Sequence, residues 1–321
     1  MQNAVILDAD SLGPSDLDLS PLLDQVEHWQ IHGSTHPEER IERCRNAELI
    51  VSNKVIIDAE LLDACPNIKL VLIAATGSNN VDLKAAAAKG VTVCNVAGYG
   101  TASVAQHCWA MILNLATQLQ RYDQAAKNGQ WSKSPFFCLL DYPIVELQGK
   151  TLGLIGHGSI GQAVANIAEA FGMEVLIAAR KGQDPTSGDT SRTAFPELIE
   201  QSDVISLHCP LTAETENLIA ETELRAMKNG ALLINVSRGG LIDETALKTA
   251  LQEGWIAGAA LDTLRQEPPA EDHPLLALQN QNLVLSPHSA WGSREARQRL
   301  VNIMAENLGG FLKGTPQNRL C

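Results

Sequence analysis

Short apolar runs, separated by helix-compatible stretches, recur along the chain. AVIL at 4–7, ELIVSN at 48–53, KLVLIAA at 69–75 and VTVCN at 91–95 form a first series. A second series begins with TLGLIG at 151–156 and continues through MEVLIAA, DVISLH, ALLINVS, IAGAALD and NLVLSPH. Strand-length runs alternating with helical patterns predict parallel sheets covered by helices, an α/β chain. Helices are expected at Gln162–Phe171, Asp243–Gln252 and Ser293–Leu312, and one long helix over Thr101–Lys127, followed by the aromatic and proline-containing segment WSKSPFFCLLDYP. The two series read as two α/β units, either sequential or with one inserted in the other. No repeat of fixed period and no low-complexity tract interrupts them.

One loop carries a nucleotide signature. Gly156-His157-Gly158-Ser159-Ile160-Gly161 is G-x-G-x-x-G placed directly after an apolar strand and directly before a helix. The first glycine permits a tight turn, the second lets backbone approach a pyrophosphate and the third lets helix and strand pack closely, while the helix N-terminus offers amide donors. The next strand should end on an acidic residue that accepts hydrogen bonds from the adenosine ribose of NAD. It ends instead Ala178-Ala179-Arg180-Lys181. Without that carboxylate a 2′-phosphate is no longer repelled, and Arg180 can bind it in bidentate fashion with Lys181 adding positive potential. NADP(H) is therefore mildly favoured over NAD(H). The competing reading leaves Arg180 in water and brings Asp184 or Asp189 back toward the ribose.

Composition narrows the partners. With 321 residues and 45% hydrophobic content, the chain can bury the cores of two globular units. A net charge of −13, spread along the chain, repels phosphate backbones and anionic lipids, so nucleic acid and membrane partners are not expected. No apolar run reaches the roughly 18 residues of a membrane span, and no basic-then-apolar leader stands at the start, so a cytoplasmic location is expected. The seven cysteines are odd in number, scattered and never paired as C-x-x-C, and none of the eight histidines sits in a zinc-ligand spacing. No metal is expected.

Three later segments carry the remaining chemistry: LLINVSRGGLIDETAL with Arg238, GAALDTLRQEPP with Asp262 and Glu267, and LVLSPHSAWGS with His288. With ATGSNNVD at 75–82, NVAGYGTASVAQH at 95–107 and HCPLTAETENLI at 208–219, the chain resembles the D-isomer-specific 2-hydroxyacid dehydrogenases over nearly its whole length. FCLLD and SPHSAWGS look most like the glycerate dehydrogenase, or hydroxypyruvate reductase, branch. The resemblance implies two Rossmann-like domains, with a dinucleotide-binding domain at 102–287 inserted into a discontinuous substrate domain of 1–101 and 288–321, and a cleft that closes on the substrate. It implies that the backbone of Thr76, Gly77 and Ser78 binds the substrate carboxylate, that Asp262 meets the nicotinamide carboxamide, and that Val104, Cys209, Pro210 and Thr212 line the cofactor. It also implies a homodimer, for which Trp109, Trp131, Phe136 and Phe137 offer apolar anchors.

The reaction can be argued from its chemistry. Hydride arriving at the C2 carbonyl of a 2-keto acid builds charge on the oxygen, so a positioned acid must supply a proton. Histidine titrates nearest neutrality, which makes His288 the candidate acid, oriented by the Glu267 carboxylate. The substrate carboxylate and polarised carbonyl need a fixed cation, and the Arg238 guanidinium can bind both. The expected activity is reduction of hydroxypyruvate or glyoxylate to D-glycerate or glycolate. Other readings stay open. A non-catalytic NAD-sensing corepressor of the same fold would be expected to carry an extended docking tail, and none is expected here. Phosphoglycerate dehydrogenases often add a regulatory domain, formate dehydrogenases replace the position of Glu267 by glutamine, and D-lactate dehydrogenase activity is not separated by sequence.

Overall fold

The computed structural model describes residues 1–183, 191–278 and 282–321, so Asp184 and Asp189 lie outside the described residues. The chain divides into two compact units, Met1–Gly100 with Trp291–Cys321, and Thr101–Ala290.

In the first unit, β1 (Asn3–Ile6), β2 (His28–Ile31), β3 (Leu49–Ser52), β4 (Leu70–Ile73) and β5 (Thr92–Cys94) form a parallel sheet of order β2-β1-β3-β4-β5. The helices α1 (Ser20–Leu23), α2 (Arg40–Cys44), α3 (Ala59–Ala64) and α4 (Leu83–Ala88) connect these strands. Both sheet faces are covered, which is why the strands read as unbroken apolar runs. Ala4 and Ile6 face a core shared with Leu300, Val301 and Met304, while Val5 and Leu7 face Leu61, Leu62 and Ala86. The edge strand β2 (HWQI) has no such run because its residues are mostly exposed, and the apolar pattern passes over it.

The second unit opens with α5 (Thr101–Thr117) and α6 (Leu119–Lys127). The single helix expected here is broken at Gln118, whose φ of 55° lies in the left-handed region; its side chain donates to Leu115 O at 2.9 Å, and Asn114 Oδ1 accepts from Gln120 N at 3.0 Å. Side chains competing for backbone partners in this way end one helix and start the next. There follow β6 (Thr151–Ile155), α7 (Ser159–Ala170), β7 (Glu174–Ile177), α8 (Phe195–Gln201), β8 (Val204–Leu207), α9 (Glu221–Ala226), β9 (Leu232–Asn235), α10 (Glu244–Glu253), β10 (Gly258–Leu261) and β11 (Leu283–Leu285). The strands are parallel in the order β11-β10-β9-β8-β6-β7. The last helix, α11 (Arg294–Leu312), belongs to the first unit and is capped by Ser293 Oγ, which accepts from Ala296 N at 3.2 Å.

Trp109 is a core residue of the second unit. It is 4% exposed, stacks on Phe171 with centroids 4.8 Å apart, and donates from Nε1 to Val164 O at 3.1 Å, so it is not available as an interface anchor. Trp131, Phe136 and Phe137 are 53%, 73% and 91% exposed. Among the described residues no helix is long and apolar enough to cross a membrane, and no cluster of three His, Cys, Asp or Glu side chains could hold a metal.

Candidate active site

In an open parallel sheet, ligands bind beyond the carboxyl ends of the strands where the strand order reverses. In the second unit that point lies between β6 and β8, from which β7 runs to one side and β9 to β11 to the other. The loop after β6 is the glycine motif. Gly156 has φ of 103°, and a Cβ there would stand 2.6 Å from the backbone of His208 and Cys209, so only glycine lets the two loops touch. A Cβ on Gly161 would lie 2.4 Å from Gly156 O, whereas one on Gly158 would meet nothing within 4 Å. The open side is where a pyrophosphate would approach, and the N-terminus of α7, which starts at Ser159 within the motif, supplies amide donors there. His157 and Ile160 are half-buried in this loop. The donor set and the open position at Gly158 fit a dinucleotide.

The loop after β8 carries Cys209, Pro210 and Thr212. Cys209 O accepts from Ser237 Oγ at 2.7 Å, Pro210 O from Thr215 Oγ1 at 2.7 Å, and Thr212 N donates to the same hydroxyl at 2.7 Å. Burial pushes the Cys209 thiol up from its ordinary value, so it stays protonated at neutral pH. Val104 is buried within α5.

Beyond β7, Ala179 is 7% exposed and Arg180 is exposed, and the described residues 178–183 at this strand end include no acidic side chain. Lys181 does not face outward as an unpaired charge: its ammonium donates to Glu223 Oε1 at 2.7 Å and to Leu218 O at 3.4 Å. A residue with no motif to flag it, Arg192, brings a second guanidinium to this end of the sheet, its Nη1 3.1 Å from Ala178 O.

Arg238, Glu267 and His288 follow β9, β10 and β11. His288 Nδ1 lies 2.7 Å from Glu267 Oε2, and Glu267 Oε1 accepts from Leu264 N at 2.9 Å, so the carboxylate is held at both oxygens. The loop bearing Glu267 is tied down further by Arg265 N, which donates to Glu244 Oε1 at 2.8 Å, while Glu244 Oε2 lies 3.1 Å from His273 Nε2. Arg238 is exposed; its carbonyl accepts from the buried Asn235 Nδ2 at 2.8 Å. The next residue, Gly239, presses this turn against the Glu267 loop so closely that a Cβ would lie 2.0 Å from Leu264 C. Asp262 is buried, with its carboxylate turned inward to the backbone of Ser289 and Ala290. Thr76, Gly77 and Ser78 lie in the first unit, in the loop after β4, where Thr76 Oγ1 donates to Val96 O at 2.7 Å and Thr76 O accepts from Asn95 Nδ2 at 2.7 Å.

Sequence reasoning missed Asn235, Ser237, Arg192, His107 and Ser286. Ser237 adjoins Arg238, and Ser286 lies two residues before His288.

Residues 109–290 match the NAD binding domain of the D-isomer specific 2-hydroxyacid dehydrogenases, and the chain belongs to that family. It is 40% identical over 98% of its length, and 98% of the relative's, to a hydroxypyruvate reductase of Blautia hydrogenotrophica. It is 41% identical to a glycerate dehydrogenase of Methylorubrum extorquens, over 91% of each chain. Among solved structures, the NADPH-dependent glyoxylate/hydroxypyruvate reductase of Sinorhizobium meliloti in complex with NADP and malonate is similar in fold. It superposes with a TM-score of 0.82 at 27% identity, over 100% of this chain and 97% of that one.

Proposed function

We propose that this chain reduces hydroxypyruvate to D-glycerate and glyoxylate to glycolate with a nicotinamide dinucleotide, NADP(H) being mildly favoured over NAD(H). The observation that carries the reading is the 2.7 Å pair of His288 and Glu267 at the strand ends of the NAD-binding unit. The similarity along nearly the whole chain to a hydroxypyruvate reductase supports the choice of substrate. When bound, the reduced nicotinamide supplies the hydride. His288, with Nδ1 engaged by Glu267, delivers the proton to the carbonyl oxygen from Nε2 and takes it back in the reverse direction. Glu267 fixes the plane of the ring. Arg238 binds the substrate carboxylate and the carbonyl oxygen, and its guanidinium stays charged throughout.

The cofactor preference rests on Arg180, since the charge of Lys181 is balanced by Glu223. The exposed aromatic side chains of 131–137 are read as the contact of a homodimer. The seven cysteines are free thiols, in keeping with a reducing, cytoplasmic setting.

The test is kcat/KM for hydroxypyruvate, glyoxylate, pyruvate and 3-phosphohydroxypyruvate, each with NADPH and NADH, on wild type and Arg180→Ala. Hydroxypyruvate is expected to exceed pyruvate by roughly tenfold, a discrimination of about 1.4 kcal/mol. NADPH is expected to serve at least as well as NADH, and removal of Arg180 to lower that ratio by about fivefold or more. A preference for pyruvate contradicts the substrate; a ratio unmoved in Arg180→Ala contradicts the phosphate contact.

A further inference from the structure

The reaction described above makes no use of His107, which α5 presents to the base of the His288 loop. Its Nε2 lies 2.9 Å from Ser286 Oγ and 3.5 Å from Asp262 Oδ1, and Ser286 Oγ lies 2.5 Å from the same carboxylate oxygen. The hydrogens can be placed by elimination. An ionised carboxylate only accepts, so the single proton of the Ser286 hydroxyl goes to Asp262. The hydroxyl can then only accept from His107, whose Nε2 must carry a hydrogen. The chain of donors runs from His107 to Ser286 to Asp262.

Asp262 in turn controls three consecutive residues. Its carbonyl accepts from His288 N at 2.8 Å, Oδ1 from Ser289 N at 2.9 Å and Oδ2 from Ala290 N at 3.0 Å. The first of these residues, His288, has φ of 51°, a left-handed conformation that a side chain with a Cβ disfavours and that surrounding contacts must hold. Asp262 is 1% exposed, so its acceptor positions must be filled by donors within the protein, and the His107 ring stands 3.5 Å from its Oδ1. Loss of the outermost donor would leave the Ser286 hydroxyl free to turn away, and the carboxylate that holds the amides of Ser289 and Ala290, directly after His288, free to turn with it.

We propose that His107 is a positioning residue for the proton donor: through Ser286 it holds the Asp262 carboxylate in the orientation that fixes the left-handed turn at His288, and hence the angle of the imidazole. The inference rests on the reading of His288 as the acid. Four variants test it: His107→Leu, His107→Gln, Ser286→Ala and the double variant His107→Leu/Ser286→Ala. They are measured with hydroxypyruvate and NADPH, alongside the KM for hydroxypyruvate and the Kd of NADPH from fluorescence. His107→Leu is expected to lower kcat about tenfold with KM and Kd within about twofold of wild type. His107→Gln, whose amide keeps an N–H donor, is expected to recover to within about threefold. Because the two residues act in series, the double variant should be no slower than Ser286→Ala alone.

Additive losses, a glutamine variant no better than leucine, or wild-type kcat in His107→Leu would each overturn the proposal. Should His107→Leu not fold, Ser286→Ala and Ser286→Thr decide instead: threonine keeps the relaying hydroxyl and should stay near wild type while alanine loses about tenfold, and equal rates overturn the relay. His288→Ala separates the two levels. Full activity in that variant removes the reading of His288 itself, whereas its loss beside unaffected His107 and Ser286 variants removes only the relay.

Discussion

The second unit holds histidines in opposite situations. His288 is 32% exposed and paired with a carboxylate, whereas burial pushes His208 down from 6.5 to about 4, with its Nε2 2.9 Å from Ser206 Oγ. His208 is therefore neutral in the folded protein. As the pH falls below about 6.5 the unfolded chain binds a proton at this position and the folded chain does not, so the stability present above 6.5 is lost progressively down to about 4. His32, also lowered by burial, adds in the same sense. The contribution of Glu48, whose carboxyl the Lys69 ammonium and the amide of Gln2 hold down at about 2, is lost only in a lower window, from 4.5 to about 2. The expected outcome is a melting temperature several degrees lower at pH 5 than at pH 7.5, and a clearly smaller drop in His208→Gln. An equal drop in wild type and variant would remove His208 from the account. The same principle of environment over residue type separates Lys181, which reads as a solvent-facing cation until Glu223 is seen beside it, from Arg180.

At the scale of elements, the strands were legible wherever both faces are buried, because only continuous apolar runs such as LVLI or LLIN satisfy such a position. The exposed edge strand HWQI gave no such signal, and nothing local announces the break at Gln118. Glycine spacing and the flanks of Arg238, Glu267 and His288 exposed the candidate site because each stands at a strand end in a recognisable run. His107 and Ser286 were not legible: they meet across 179 residues of sequence, and a lone histidine on a helix is ordinary core by pattern alone. Loop packing matters as much as the side chains the loops carry. In Gly239→Ala the new Cβ would collide with the backbone of Leu264, prising the Arg238 turn from the Glu267 loop. The expected outcome is a loss of kcat/KM for hydroxypyruvate of about tenfold or more, with NADPH binding near wild type because the glycine motif after β6 is untouched. Near wild-type kcat/KM would show that the two loops need not be held together.

For the whole molecule, the three most exposed large apolar side chains among the described residues, Phe137, Leu140 and Phe136, lie in one segment. Trp131, Phe136, Phe137 and Leu140 are 53%, 73%, 91% and 74% exposed, an apolar stretch of a kind that marks an interaction site. A homodimer covering it predicts sedimentation as a dimer at micromolar concentration, shifted toward monomer in Phe136→Ser/Phe137→Ser; a wild-type monomer would contradict it. His288 is the proposed proton donor of the 2-keto acid reduction. The most direct measurement is kcat for NADPH oxidation by hydroxypyruvate in His288→Ala, with the Kd of NADPH measured on the same preparation. The account predicts a fall in kcat of about 100-fold or more, the scale of a lost general acid, with the Kd within about twofold of wild type. A kcat near that of wild type would contradict it.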